Sequence, residues 1–134
     1  MRFVIFFIFL ASYAFGISVT DMRGKTVQIP SNLNRIATIS DGFVESVMTH
    51  LGEIRRVSAI ASWSLKRDYR YKIKGINEEL EFTGLNTMRA MHPWLDALPC
   101  FNSPQGNIIN YETLMQSAPQ LIIVRVGDCT IGGA

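Results

Sequence analysis

The stretch that most constrains this chain is Asn107 to Asp128, reading N-I-I-N-Y-E-T-L-M-Q-S-A-P-Q-L-I-I-V-R-V-G-D. Tyr111, Leu114, Met115 and Ala118 fall at i, i+3, i+4 and i+7, which stacks them on one face of an α-helix beginning near Asn110. Pro119 stops that helix. Leu121 to Val124 is an unbroken apolar run, continued by Val126, and suits a strand covered on both faces in a parallel sheet flanked by helices. Gly127 and Asp128 end it in a loop. Ligands of open parallel sheets collect beyond the carboxyl ends of the strands, so the corner from Arg125 to Thr130 is where function is to be sought.

The preceding chain fits the same plan. Ile17 and Val19 alternate with polar residues, Val27 and Ile29 do likewise, and Asp21-Met22-Arg23-Gly24 between them carries turn chemistry, so an N-terminal hairpin is expected, closed by Pro30. Arg35 to Ser40 reads as a strand entering Asp41-Gly42. Phe43, Val44, Val47, Met48 and Leu51 then form the apolar stripe of a helix, with Ser40 or Asp41 as its N-cap and Gly52 as its stop. A second strand follows at Arg56 to Ala61. Strand, helix, strand, then helix and strand again imply right-handed crossovers and a parallel sheet: the fold class is α/β. From Ser62 to Pro99 the pattern weakens into a long loop or insertion, with an apolar staple of Met88, Met91, Trp94 and Leu95.

Composition narrows the function classes. At 134 residues, 48% hydrophobic and 18% charged, the chain is long enough for one folded domain and too apolar to be disordered. The formal net charge is +2, and beyond Lys66, Arg67, Arg70 and Lys72 no basic cluster stands out, so no nucleic-acid partner is expected. Arg2, the apolar run Phe3 to Leu10 and the small residues around Ala14 and Gly16 read as a secretory signal over residues 1–16, too short to span a bilayer, which needs about 20 apolar residues. Export to an oxidising compartment makes Cys100 and Cys129 a candidate disulfide, contributing about 3 to 4 kcal/mol; two unpaired buried thiols are the alternative.

Four blocks in order carry a resemblance: V-T-D-M-R-G-K-T-V-Q-I-P, R-I-A-T-I-S-D-G-F-V-E-S-V-M-T-H-L-G, R-V-S-A-I-A-S-W-S, and N-Y-E-T-L-M-Q-S-A-P-Q-L-I-I-V. Together they resemble the N-terminal lobe of periplasmic substrate-binding proteins serving ABC importers of iron-siderophore, haem and cobalamin ligands. The resemblance covers residues 17–134. It implies a Rossmann-like lobe of a two-lobed receptor, with the ligand held between the lobes and one long helix joining them. It also implies a periplasmic location, an iron chelate or similar anionic or aromatic small molecule as ligand, and an ABC permease in the inner membrane as partner. Glu112, in Asn110-Tyr111-Glu112, occupies the position of the glutamate that docks the N-lobe onto permease arginines; taken alone, it also suits the positive end of its helix. Two departures stand out. Gln120 replaces the usual aspartate after the proline, and the sequence stops at Gly132-Gly133-Ala134, where the family continues into the linking helix and second lobe. The expectation is half a receptor: a gene fragment, a truncated frame or part of a split protein.

Topology places the candidate ligand contacts just past the strand ends: Ser40 and Asp41, Trp63 and Ser64, and Arg125 with Asp128. Trp63 is the stacking candidate, and Arg125 suits a carboxylate, catecholate or oxyanion. Arg67, Tyr69 and Tyr71 add basic and aromatic character that suits an anionic chelate. The competing classes are a small exported enzyme, a protein that captures a metal directly, and a nonfunctional fragment. None of G-x-S-x-G, H-E-x-x-H, G-x-G-x-x-G, the phosphate-binding loop or paired C-x-x-C occurs, so no catalytic residues, metal ligands or cofactor are assigned. His50, at a helix end, and His92, before Pro93, are the only histidines, and no acid or nucleophile adjoins either.

Overall fold

The computed structural model describes residues 16–76, 78–103 and 108–125. The fold divides into two compact units, one ending at Asn32 and the other beginning at Leu33. In the first, β1 (Ile17–Thr20) and β2 (Thr26–Ile29) form the antiparallel hairpin that the alternation predicts. Its turn is built by Asp21. The carboxylate accepts the backbone N–H groups of Arg23 at 2.8 Å and Lys25 at 2.9 Å and pairs with the Arg23 guanidinium at 2.6 Å. The Lys25 N–H, then Arg23, hold this carboxyl below the usual aspartate range. Gly24 closes the turn at φ 75°, a left-handed conformation that glycine adopts without strain.

The second unit is built on a parallel sheet in the order β4 (Val57–Ile60), β3 (Ile36–Ile39), β7 (Leu121–Val124). All four residues of β3 are buried, as a central strand with two covered faces requires. Beside β4 the chain returns once more. Ile60 N–H donates to Pro99 O, and Phe101 N–H donates to Ile60 O, both at 3.0 Å, which sets Cys100 as a parallel bridge on the outer edge. Two successive segments, β4 and the one at Cys100, therefore step outward to one side of β3, and the chain then crosses back to the other side as β7. The point of reversal lies between β3 and β7.

The two faces of the sheet carry two cores. On one, Ile36, Val57 and Ile60 meet Val44 and Met48 of α1 (Phe43–His50), together with Ile54, Leu65, Met88 and Leu95. On the other, Ala37, Ile39, Ala59 and Ala61 surround Phe101, with Ile109 and Leu114 packed against them. A bulge makes this division possible. The register steps from Ile36–Val57 to Ala37–Ala59, so Ser58 is the extra residue and Val57 and Ala59 serve opposite faces although they are two positions apart.

The structure revises four expectations. The inward side of α1 is Val44, Glu45 and Met48, whereas Phe43, Val47 and Leu51 are 59%, 43% and 66% exposed. Glu45 is fully buried because Thr38 on β3 donates its hydroxyl proton to the carboxylate, a pairing that apolar periodicity cannot reveal. In α3 (Tyr111–Gln116), which begins where expected and is capped by Asn110 Oδ1 accepting the Thr113 N–H, Leu114 alone of the predicted stripe packs on a core cluster; Tyr111 and Met115 face solvent. The helix also ends before Pro119, at the Ser117 C-cap, and Ala118 takes φ 42°. β7 pairs with β3 in parallel as expected, but among the described residues it is an edge strand, with Ile122 and Val124 over 40% exposed. Finally, the weakly patterned segment is ordered: the 3-10 turn Trp63–Leu65, a hairpin of β5 (Tyr69–Lys74) and β6 (Glu79–Gly84), α2 (Thr87–Met91) and the 3-10 turn Pro93–Ala97. Met88 and Leu95 of the expected staple are buried, Trp94 packs against them, and Met91 is exposed.

Candidate functional site

The crevice beyond the carboxyl ends of β3 and β7 is the place where a doubly wound sheet exposes loop groups from two directions. After β3 the chain turns sharply through Ser40, Asp41 and Gly42. Ser40 is fully buried, and its hydroxyl oxygen accepts the Val44 N–H at 3.0 Å. It thus caps α1 from the position expected of an N-cap, although Gly42, at φ 103°, is the residue flanking the helix. This burial removes Ser40 from the surface a ligand reaches. Asp41 is exposed and points to the neighbouring loop.

That neighbouring loop follows β4. Ser62 donates its hydroxyl proton to Asp41 Oδ1 at 3.0 Å. The Ser62 and Ser64 hydroxyls are 2.6 Å apart, and since the Ser62 proton is committed to Asp41, Ser64 is the donor of that bond. Ser64 O in turn accepts from the Tyr69 hydroxyl at 3.1 Å. A continuous polar chain, Asp41 to Ser62 to Ser64 to Tyr69, thereby locks the two strand-end loops together. Trp63 rides on this chain half-buried, its indole N–H donating to Asn102 O at 2.6 Å. With the ring edge fixed, its remaining exposed surface is a rigid apolar platform. Arg67 is exposed and lies over the Tyr69 ring, 5.7 Å from its centroid.

Across the reversal point, Arg125 N–H donates to Ile39 O at 3.0 Å, carrying the β3–β7 ladder one residue further. Its guanidinium sits 5.2 Å from the centroid of the Phe43 ring, a cation–π arrangement that leaves the charge at the surface. Phe43 is thus a surface aromatic beside the site rather than a core residue. The signal available was its position, four residues past the end of β3 and directly after Asp41-Gly42. Asn86 was also missed; its side-chain N–H approaches Asp41 O at 3.4 Å while Oδ1 caps α2.

The structure therefore links Asp41 to Tyr69 through Ser62 and Ser64, anchors Trp63 separately on Asn102 O, and sets Arg125 beside Phe43. Glu112 stands apart from them on the exposed first turn of α3, where Gln116 donates to its carboxylate at 3.3 Å. Asp128 and Cys129 lie outside the described residues, so the expected pairing of Cys100 with Cys129 does too. Cys100 is half-buried beside Ala61 O and Asn102 O, and burial pushes its thiol up from the ordinary range.

Neither histidine joins the site. His92 Nε2 lies 3.0 Å from Thr49 Oγ1, whose proton goes to Glu45 O, so Nε2 carries the hydrogen and donates to Thr49. His50 occupies the last turn of α1. Among the described residues no group of three or more His, Cys, Asp or Glu side chains could hold a metal ion. No helix among them is long and apolar enough to cross a membrane.

Comparison with known proteins gives one kind of answer. No protein-family model and no curated protein matches the sequence. Solved structures do match: the heme binding protein HmuT aligns with a TM-score of 0.54 at 19% identity, over 85% of this chain and 28% of its own. Two mutants of HmuT align equally well. At this identity the likeness establishes a shared α/β fold, and the chain spans little more than a quarter of the length of the protein it matches.

Proposed function

We propose that this chain is a lobe of an exported substrate-binding protein that hands an iron chelate, such as haem or a siderophore complex, to an ABC importer. The observation that carries the reading is the fold likeness to a heme binding protein over 85% of the chain. The carboxyl edge of the sheet supports it, being furnished as one wall of a ligand cleft. Trp63 supplies a face for stacking on a flat ligand, Arg125 a cation for its acidic groups, and Arg67 on Tyr69 a second basic and aromatic pair. Asp41 accepts donor groups of the ligand, and Ser40 shapes the loop from beneath. Glu112 docks the permease. Residues 1–16 direct export to the periplasm, and a second lobe closes the cleft.

Titration of ferric haem into the chain, followed by its Soret band and by quenching of tryptophan emission, tests the proposal. Saturable binding is expected, weakened roughly tenfold each by Trp63→Leu and Arg125→Gln, which corresponds to about 1.4 kcal/mol per contact. Glu112→Ala is expected to leave it unchanged. Absence of saturable binding by haem and by ferric catecholates, or binding indifferent to both substitutions, would refute the proposal.

A further inference from the structure

The hairpin of β5 and β6 is a sheet of only two strands, and a sheet that small is marginal in water unless something covers it. Nearly every residue in it is exposed. Its pairing register separates the side chains cleanly. Tyr71 faces Phe82 and Ile73 faces Leu80 on one side, with the two aromatic rings stacked 5.6 Å apart. On the other side Lys72 faces Glu81, Lys74 faces Glu79, and Arg70 faces Thr83. All the charge on β5 is therefore positive and all the charge on β6 is negative. Lys72 pairs with Glu79 at 3.0 Å, while Arg70, Lys74 and Glu81 form no ion pair among the described residues.

Among the described residues neither outer edge of the hairpin has a neighbouring strand, and one edge strand is basic while the other is acidic. We propose that they pair with each other between copies of the chain, β6 of one hairpin adding antiparallel to β5 of the next. An antiparallel addition that repeats the hairpin's own register places Glu79 beside Lys74 and Glu81 beside Lys72 of the neighbour. The same addition lays Leu80 and Phe82 beside its Ile73 and Tyr71. The two-fold alternatives fail on charge: β5 against β5 opposes Arg70, Lys72 and Lys74 with themselves, and β6 against β6 opposes glutamates. Edge pairing is thus head-to-tail and does not close at a dimer. The partner of this surface is a second copy of the same chain, and the assembly grows with concentration.

Sedimentation velocity on the full chain, over a hundredfold range of concentration and at low and high salt, tests this. The expected result is a mean mass that rises past the dimer without a plateau and falls back in about 1 M salt, where charges more than about 3 Å apart are screened. Glu79→Lys with Glu81→Lys makes the hairpin all basic; Arg70→Glu, Lys72→Glu and Lys74→Glu make it all acidic. Each variant alone is expected to need at least tenfold more protein to associate, and mixing the two restores association. Should either variant lose the hairpin itself, amide exchange on the unmodified chain still decides, because association must add protection within residues 69–84. A plateau at the dimer, association strengthened by salt, or new protection confined to other segments would overturn the proposal.

Discussion

Replacing Phe101 with alanine should be among the most damaging single changes in this fold. The ring is fully buried on the face of the sheet whose other residues are Ala37, Ile39, Ala59 and Ala61. Three of those four are alanines, so the one fully buried large side chain over the strands is Phe101, from a segment outside the three-stranded core, with the half-buried Ile109 and Leu114 packed against the cluster. Alanines have no rotamers with which to follow a shrinking neighbour, and the hole left by truncation therefore collapses poorly. Phe→Ala substitutions at such sites cost about 3 to 5 kcal/mol in transfer and cavity terms together, against a total stability of about 5 to 15 kcal/mol for a domain. Phe101→Leu, which keeps most of the volume, should cost under about 1.5 kcal/mol. Urea unfolding followed by far-ultraviolet dichroism measures both. With a slope of about 2 kcal/mol per molar, the alanine variant's midpoint should fall by roughly 2 M with the slope unchanged. A loss below about 1 kcal/mol would refute the reasoning, because it would mean that the ring does not fill the alanine-lined cradle.

Two smaller effects follow from local geometry. Gly52 ends α1 at φ 75° with nothing within 4 Å of where a Cβ would sit, so Gly52→Ala should cost about 1 to 2 kcal/mol from backbone strain alone, read as a lower urea midpoint. At Cys100, burial raises the thiol's folded-state pKa. Alkylation by iodoacetamide in the folded chain should therefore be slow at neutral pH and reach its half-maximal rate at a higher pH than in the unfolded chain. Since the neutral thiol is the form the fold favours, the associated stability is present at neutral pH and lost as pH rises through the folded-state value.

Much of this architecture could be read from the chain. Short apolar runs bounded by turn residues located β3, β4 and β7 to within about a residue, and Gly24 and Gly52 marked the turn and helix end that need positive φ. What periodicity could not supply was which side of each helix is covered. In α1 the apolar count favoured Phe43, Val47 and Leu51, but the pairing of Glu45 with Thr38 turns a charged residue inward and leaves those three outside. In β7 the unbroken apolar run suggested a strand covered on both faces, whereas Ile122 and Val124 are exposed and, among the described residues, no strand flanks its outer side. The β5–β6 hairpin carries its own signal, strict alternation of apolar and polar residues in Y-R-Y-K-I-K and in E-L-E-F-T, which the reading of this segment as a long loop does not use.

At the site, Asp41, Trp63 and Arg125 lie at the carboxyl edge, where the strand-end rule puts them, since position relative to a strand is a sequence property. The connections among them are not. The proton-committed chain through Ser62 and Ser64, the anchoring of Trp63 to Asn102 O, and the seating of Arg125 over Phe43 each join residues more than twenty positions apart or on separate elements, except within Ser62–Ser64 itself. Ser40 shows the converse: correctly placed at a strand end, it is withdrawn from the surface by capping α1.

The central claim is that the carboxyl edge of the β4–β3–β7 sheet is a ligand wall. Its most direct test is the backbone amide spectrum of the isotopically labelled chain, recorded with and without a diamagnetic haem analogue. The account predicts that the largest perturbations fall at residues 41–43, 62–69 and 125. Perturbations centred instead on α3 or on the tip of the β5–β6 hairpin, with the carboxyl edge unmoved, would contradict it.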